Sequence, residues 1–205
     1  MYSKHLVSLA QERKVDIMRT LFHSSYSYSN EEDAKVAEQY RLYLKEDLGK
    51  QLMVVRGMDR ESRAIVLKFP RQSSETTEEA FVTAQLYITE RAIAATEALS
   101  EGREEKVVAI ADFGAYSRSN APPWSALRTV VHLLQPNYPE RLDHLIILDA
   151  PFFMRALFNL IHPFLRAATK EKLVMIADDV SVFLKMTRNP LPPFFLPAQQ
   201  FHTIK

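Results

Sequence analysis

Lys172, Thr169 and Glu140 are the residues of this 205-residue chain whose types and spacing best suit the handling of an anion. Lys172 supplies a cation and Thr169 a hydroxyl donor. They share a face if the stretch between them is one helical turn. A phosphodiester suits such a pair, because a buried negative charge needs a matching cation and hydrogen bonds. Glu140 then has two uses, accepting from ligand hydroxyls or holding Lys172 in place. The plainer reading makes Glu140 and Arg141 a surface ion pair and Lys172 a solvated strand flank. A second chemistry rests on aspartates. Three apolar runs each end in acid, at Asp112, at Asp149 and at Asp178 with Asp179. Aspartates at the C-terminal ends of strands in an α/β sheet can hold magnesium for phosphoryl transfer. No Asp-x-Asp pair, glycine-rich phosphate loop, P-loop lysine or Gly-x-Ser-x-Gly elbow accompanies them, and turns and caps explain these acids more simply. The histidines at 5, 23, 132, 144, 162 and 202 show no metal-ligand spacing.

The elements that must position these residues centre on 137–176. The chain reverses at Asn137-Tyr138-Pro139, and a buried-strand run over 145–148 stops at Asp149-Ala150-Pro151. The segment 152–165 is apolar nearly all round. Its polar residues Arg155, Asn159 and His162 fall at i, i+4 and i+7, so they make one narrow stripe on a helix. Such a helix is buried on two sides or touches something apolar that is not protein. Pro163 kinks or ends it. Another apolar strand follows over 173–176.

Upstream, 1–23 reads as a helix, the serine- and tyrosine-rich 23–30 as a linker, and 31–48 as a helix with an acidic first turn. Two β-rich runs, 52–56 and 64–69, form a hairpin whose loop holds Asp59, Ser62 and Arg63 in a turn role. Thr76 and Glu79 form a capping box for a helix over 76–100, with Phe81, Ala84, Ile88, Ala92, Ala95 and Leu99 on its sheet-facing side. Gly102 closes it, and 107–111 is a buried strand. Asn120, followed by Pro122 and Pro123, caps the next helix, with Leu127, Val130, Val131 and Leu134 as its buried face. The proline-rich 190–197 is either an extended ligand for aromatic grooves or a cover for the domain's own sheet edge.

Four motifs stand in order: Tyr138-Pro139-Glu140-Arg141, Asp149-Ala150-Pro151, His162-Pro163-Phe164 and Thr169-Lys170-Glu171-Lys172. Together with the apolar helix between the second and third, they resemble the CRAL-TRIO lipid-binding domain, in its secretory phosphatidylinositol-transfer branch. The resemblance covers about 50–176. It implies an α/β fold, a mixed β-sheet with helices packed against it and a lipid cavity closed by a gate helix, preceded by a short N-terminal helical segment. The division expected is 1–49 for that segment and 50–205 for the lipid-binding domain. The resemblance further implies headgroup contacts from Glu140, Thr169 and Lys172. It makes 152–165 the mobile gate, with Phe152, Phe153, Leu157, Phe158, Ile161 and Phe164 as gate and cavity-lining residues. The function implied is binding and transfer or presentation of one phospholipid, phosphatidylinositol first, without covalent catalysis, cofactor or metal. The alternatives are a neutral tocopherol- or retinoid-like ligand, which needs no cation at Lys172, and a metal-dependent phosphohydrolase using the strand-end aspartates.

Bulk properties agree with that expectation. Hydrophobic content of 47%, charged content of 25% and a net charge of +1 describe a globular domain with no field directed at nucleic acid. The chain has no cysteine, hence no disulfide and no thiolate metal site. No run approaches a membrane span and the first residues lack a signal-peptide core. The expectation is a cytoplasmic monomer that touches membrane surfaces transiently.

Overall fold

The computed structural model describes residues 14–18, 30–50, 52–70 and 77–176. Most of the expected first helix, the linker up to 29, Asp178, Asp179 and the proline-rich stretch lie outside these residues. Residues 14–18 are helical, and α1 (Glu31–Lys50) opens with Glu31, Glu32 and Asp33 at its positive end. The Asn30 side chain caps it by accepting from the Asp33 N–H at 2.9 Å.

The hairpin forms as its β-rich runs require. Strand β1 (Met53–Met58) pairs antiparallel with β2 (Ala64–Lys68), with Met53 opposite Lys68 and an irregularity between Val55 and Met58. Asp59 is buried at the turn, accepting from the N–H groups of Glu61 and Arg63 and from the Arg63 guanidinium at 2.6 Å. Ser62 takes φ 67°, a left-handed geometry for which glycine is the usual choice. The side chain of Asp59 holds that turn closed.

Helix α2 (Glu78–Ser100) crosses from β2 to β3 (Val107–Asp112). Its cap is Thr77, one residue after the position expected, whose hydroxyl accepts from the Ala80 N–H at 3.2 Å. Glu79 does not complete a capping box; it pairs with Lys14 at 2.8 Å. At the other end Glu101 and Gly102 are both left-handed, and the Gly102 N–H bonds the Glu97 carbonyl. The buried surface of α2 is wider than one face. Thr83, Gln85, Glu90, Thr96 and Ser100 are buried along with the apolar positions, whereas Leu99 is exposed. The reason is its central place, packed on β1 and β2 beneath and on α1 and α3 beside it.

Helix α3 (Trp124–Asn137) starts four residues beyond Asn120, which lies instead in a 3-10 turn (Arg118–Asn120). Pro123 occupies the cap position and provides no side-chain bond. Ala126 and Leu133 are its buried residues, and Leu127, Val130, Val131 and Leu134 are half-buried. That half-burial has a cause: Leu127 and Val131 face a cavity, while Val130 and Leu134 pack on the core.

Strand β4 (Leu142–Leu148) begins earlier than expected, followed by α4 (Phe152–Ile161), a 3-10 turn (His162–Phe164), the short α5 (Ala167–Glu171) and β5 (Leu173–Ile176). Helical geometry thus ends at Ile161, and the proline segment continues only as the tighter turn. The five strands run in the order β1-β2-β3-β4-β5, with β2 to β5 parallel. Each parallel step requires a crossover, and α2, α3 and the α4–α5 segment provide them. One sheet face, bearing Val66, Val107 and Ala109, packs with α1, α2 and α3 in the main core. Ile65, Leu67, Val108, Ile110, Ile146 and Leu148 form a second buried cluster from the alternate positions. This is the mixed α/β sheet with packed helices that the motif order implied.

Candidate functional site: an apolar cavity under a short helix

A cavity of about 280 Å³ opens where the helix-covered sheet face runs out toward α4. Ala111, Leu145, Ile147 and Leu173 form its floor, Phe81, Ala84 and Gln85 of α2 one wall, and Leu127 and Val131 of α3 another. Met154, Phe158 and Ile161 of α4 close it. Polar side chains are few among the lining residues: Lys68, Gln85, Asn120 and Thr169, with the Tyr116 hydroxyl. A nearly all-apolar hollow with sparse polar groups is the ordinary form of a small-molecule site.

Helix α4 divides its residues between inside and outside. Met154 is buried against Phe113 and Tyr116, and Phe158 and Ile161 face the cavity. Phe153 instead stacks on Tyr116 at 5.9 Å and carries the Arg118 guanidinium over its ring at 5.4 Å. Phe152 is 85% exposed and Leu160 60%, so the outer face of α4 carries uncovered apolar side chains. Phe164 also faces outward, beside Trp124 at 6.3 Å and Arg128 at 5.1 Å. Phe152, Phe153 and Phe164 therefore do not line the cavity, because a 3.6-residue period cannot turn every phenylalanine of one helix inward. The side chains of Leu157 and Arg155 lie outside the described residues, while Asn159 and His162 are exposed.

The end of this segment is gripped by α3. Gln135 donates to the Phe164 carbonyl at 2.9 Å and accepts from the Arg166 N–H at 2.7 Å. One side chain thus ties both sides of the joint between α4 and α5. Nothing in the local pattern announced it.

Of the three residues expected to handle an anion, Thr169 lies in the cavity wall on α5. Lys172 is the cap of α5, and its Nζ donates to Glu140 Oε2 at 2.7 Å. Glu140 sits on the reversal between α3 and β4 with φ 57°. Its hydrogen bond and ion pair with Lys172, aided by Lys106 and Arg166, hold its carboxyl below the usual range. Arg141 is not the partner of Glu140; it turns to Glu105 at 3.3 Å and Glu97 at 3.9 Å. The Tyr138 hydroxyl donates to buried Glu90 at 2.6 Å, tying the reversal to α2. The first two residues of the Tyr-Pro-Glu-Arg motif thus build the corner, and the third faces Lys172.

The strand-end acids serve turns where they are described. Asp112 accepts from the Gly114 N–H at 2.8 Å, and Asp149 takes a left-handed φ of 51° between β4 and Pro151. Among the described residues, no three or more His, Cys, Asp or Glu side chains are grouped to hold a metal ion. Among them, too, no helix is long and apolar enough to cross a membrane.

Fold and cavity define a class of protein: an α/β sandwich with an apolar chamber against one face of its sheet, roofed by a helix that also exposes apolar side chains. Residues 48–195 match the CRAL/TRIO domain, and the chain belongs to that family. It is 30% identical over 141 residues to the phosphatidylinositol transfer protein PDR17 of Saccharomyces cerevisiae, covering 65% of this chain and 38% of that protein. It is 28% identical over 142 residues to Patellin-4 of Arabidopsis thaliana, covering 64% of this chain and 26% of that protein. The crystal structure of Sfh5 superposes with a TM-score of 0.57 at 16% identity, over 72% of this chain and 56% of that one. The similarity to PDR17 agrees with the branch to which the four ordered motifs point. The chain spans 38% or less of the length of these two curated relatives.

Proposed function

We propose that this chain binds a single phospholipid, phosphatidylinositol before others, and transfers or presents it at membranes. The observation that carries this reading is the pairing of an apolar cavity with a cation beside it. Thr169 lines the cavity, and Lys172, three residues on, is held at 2.7 Å by a carboxylate. In the bound state the phosphate takes Lys172 and the Thr169 hydroxyl, and Glu140 turns its acceptor oxygens to the inositol hydroxyls. Each methylene of the acyl chains that enters the cavity contributes about 0.8 kcal/mol. A hollow of about 280 Å³ is small even for drug-sized ligands, so two acyl chains enter only when α4 moves outward. The exposed Phe152 and Leu160, with Trp124, Arg128 and Phe164 nearby, suit an interfacial surface where that movement is favourable. The division at residue 49, the cytoplasmic setting and the monomeric state belong to the same proposal.

The test is to incubate the purified chain with mixed liposomes, re-isolate it, and identify extracted molecules by mass spectrometry. Stoichiometric phosphatidylinositol supports the reading. A neutral isoprenoid in its place retains the cavity and removes the phosphate role from Lys172. A re-isolated chain free of lipid overturns the function.

A further inference from the structure

One cavity residue has no part in the headgroup reading. Lys68 ends β2 on the same strand face as Ala64 and Val66, and its Nζ donates to Gln85 Oε1 at 2.7 Å. Gln85, on α2, spends its own N–H on the Met53 thioether at 3.1 Å, a weak acceptor. Both side chains line the cavity beside Leu52, Phe69 and Phe81. Among the described residues no carboxylate pairs with Lys68, and burial alone pushes its ammonium down to about 8. A cation with spare donors and an amide whose N–H group meets only a thioether form a two-donor station set in an apolar wall.

Lys68 is far from Lys172. In register, Lys68 lies beside Ala111, Ala111 beside Ile147, and Ile147 beside Met175. Three strand spacings of about 4.8 Å across and three rises of about 3.3 Å back along β5 separate the two backbone positions by roughly 17 Å. Each ammonium is held by its own partner, Lys68 by Gln85 and Lys172 by Glu140, so the two form separate stations. We propose that Lys68 and Gln85 form a second anchor inside the cavity, which binds the carboxylate of a single-chain lipid. One carboxylate oxygen takes the ammonium and the other replaces Met53 on the Gln85 amide. The charges then balance one to one, and a carboxylate has no further polar group to satisfy. A phosphomonoester would bring a second negative charge, and a phosphodiester would carry its headgroup into an apolar wall. The cavity volume also suits one chain better than two. This site does not depend on Lys172 being a headgroup ligand.

The experiment is a fluorescence titration of the full chain with cis-parinaric acid and, separately, its methyl ester. The unmutated chain is expected to bind the acid at least tenfold more tightly than the ester. Lys68→Met, which keeps the apolar stem, is expected to lose that preference while its ester affinity stays within twofold. Lys172→Ala is expected to leave acid binding unchanged, so the outcome is independent of phosphatidylinositol loading. Equal affinity of the unmutated chain for acid and ester overturns the proposal without requiring any variant to fold. A pyrene-labelled phosphatidic acid that loses affinity in Lys68→Met, while parinaric acid does not, overturns the carboxylate assignment and reassigns the anchor to phosphate.

Discussion

Lys68 ends strand β2 and Lys172 stands just before β5, three strands away, and burial treats them differently. Lys172 has a carboxylate at 2.7 Å, and that carboxylate is itself 69% exposed, so water and Glu140 share the cost of the charge. Lys68 has an amide for company and bears its desolvation with no carboxylate partner among the described residues. The comparison teaches that a cation is readied for ligand in two ways. At Lys172 a ligand anion displaces or joins an existing partner, and little stability is at stake. At Lys68 the described residues offer an amide and no carboxylate, so a ligand anion would relieve a desolvation penalty that the ammonium otherwise bears.

The largest effect expected is on stability at Lys68. Burial lowers its pKa to about 8 from the ordinary lysine value of 10.5. Between those values the unfolded chain holds the extra proton, so stability rises with pH. Below pH 8 the full penalty of up to about 3 kcal/mol is present. Lys68→Met should therefore be more stable than the unmutated chain at pH 7, with the gap closing by pH 10.5. Urea midpoints at the two pH values measure it, and a gap that does not depend on pH contradicts the uncompensated charge.

Next in size is Lys172→Ala. Phosphatidylinositol transfer between vesicles should fall at least tenfold, while the melting temperature moves little, since an exposed ion pair is worth about 0–1 kcal/mol. Equal transfer by the variant removes Lys172 from the headgroup site. Gln135→Ala comes third. Losing two hydrogen bonds to the joint after α4 costs about 1–2 kcal/mol of local stability, which should appear as faster amide exchange around Phe164 and Arg166 and faster ligand release. Smallest is Phe152→Ser. At 85% exposure it should leave stability within about 0.5 kcal/mol and reduce liposome association a few-fold. Unchanged association would mean the outer face of α4 does not meet membranes.

Helices α2 and α4 differ in how far their sequences could be read. Both are rich in apolar residues. For α2 the three- and four-residue spacing indicated a single sheet-facing side, yet Thr83, Thr96 and Ser100 are buried because the sheet and two flanking helices all pack around it. Periodicity reports the hydrophobic stripe of a helix. It is silent on small polar residues that neighbours cover, such as Thr96, whose hydroxyl accepts from the Ala64 N–H at 2.9 Å. For α4 the all-round apolar pattern correctly implied an unusual environment but not which phenylalanines face inward. Lys68 was legible in part: in the pattern Ala-Ile-Val-Leu-Lys a strand period places its lysine on the same side as Ala64 and Val66.

By itself the sequence determined the class of fold, the order of strands and helices, the break at Pro163 and the family, because local periodicity, turn chemistry and ordered motifs are properties of neighbours in the chain. Tertiary structure alone decided that Glu140 meets Lys172 rather than Arg141, that Gln135 grips the joint after α4, and that Lys68 and Gln85 face one hollow. Those pairs stand 17 to 32 residues apart in sequence. Only the crossover connections of a parallel sheet bring such positions within hydrogen-bonding reach.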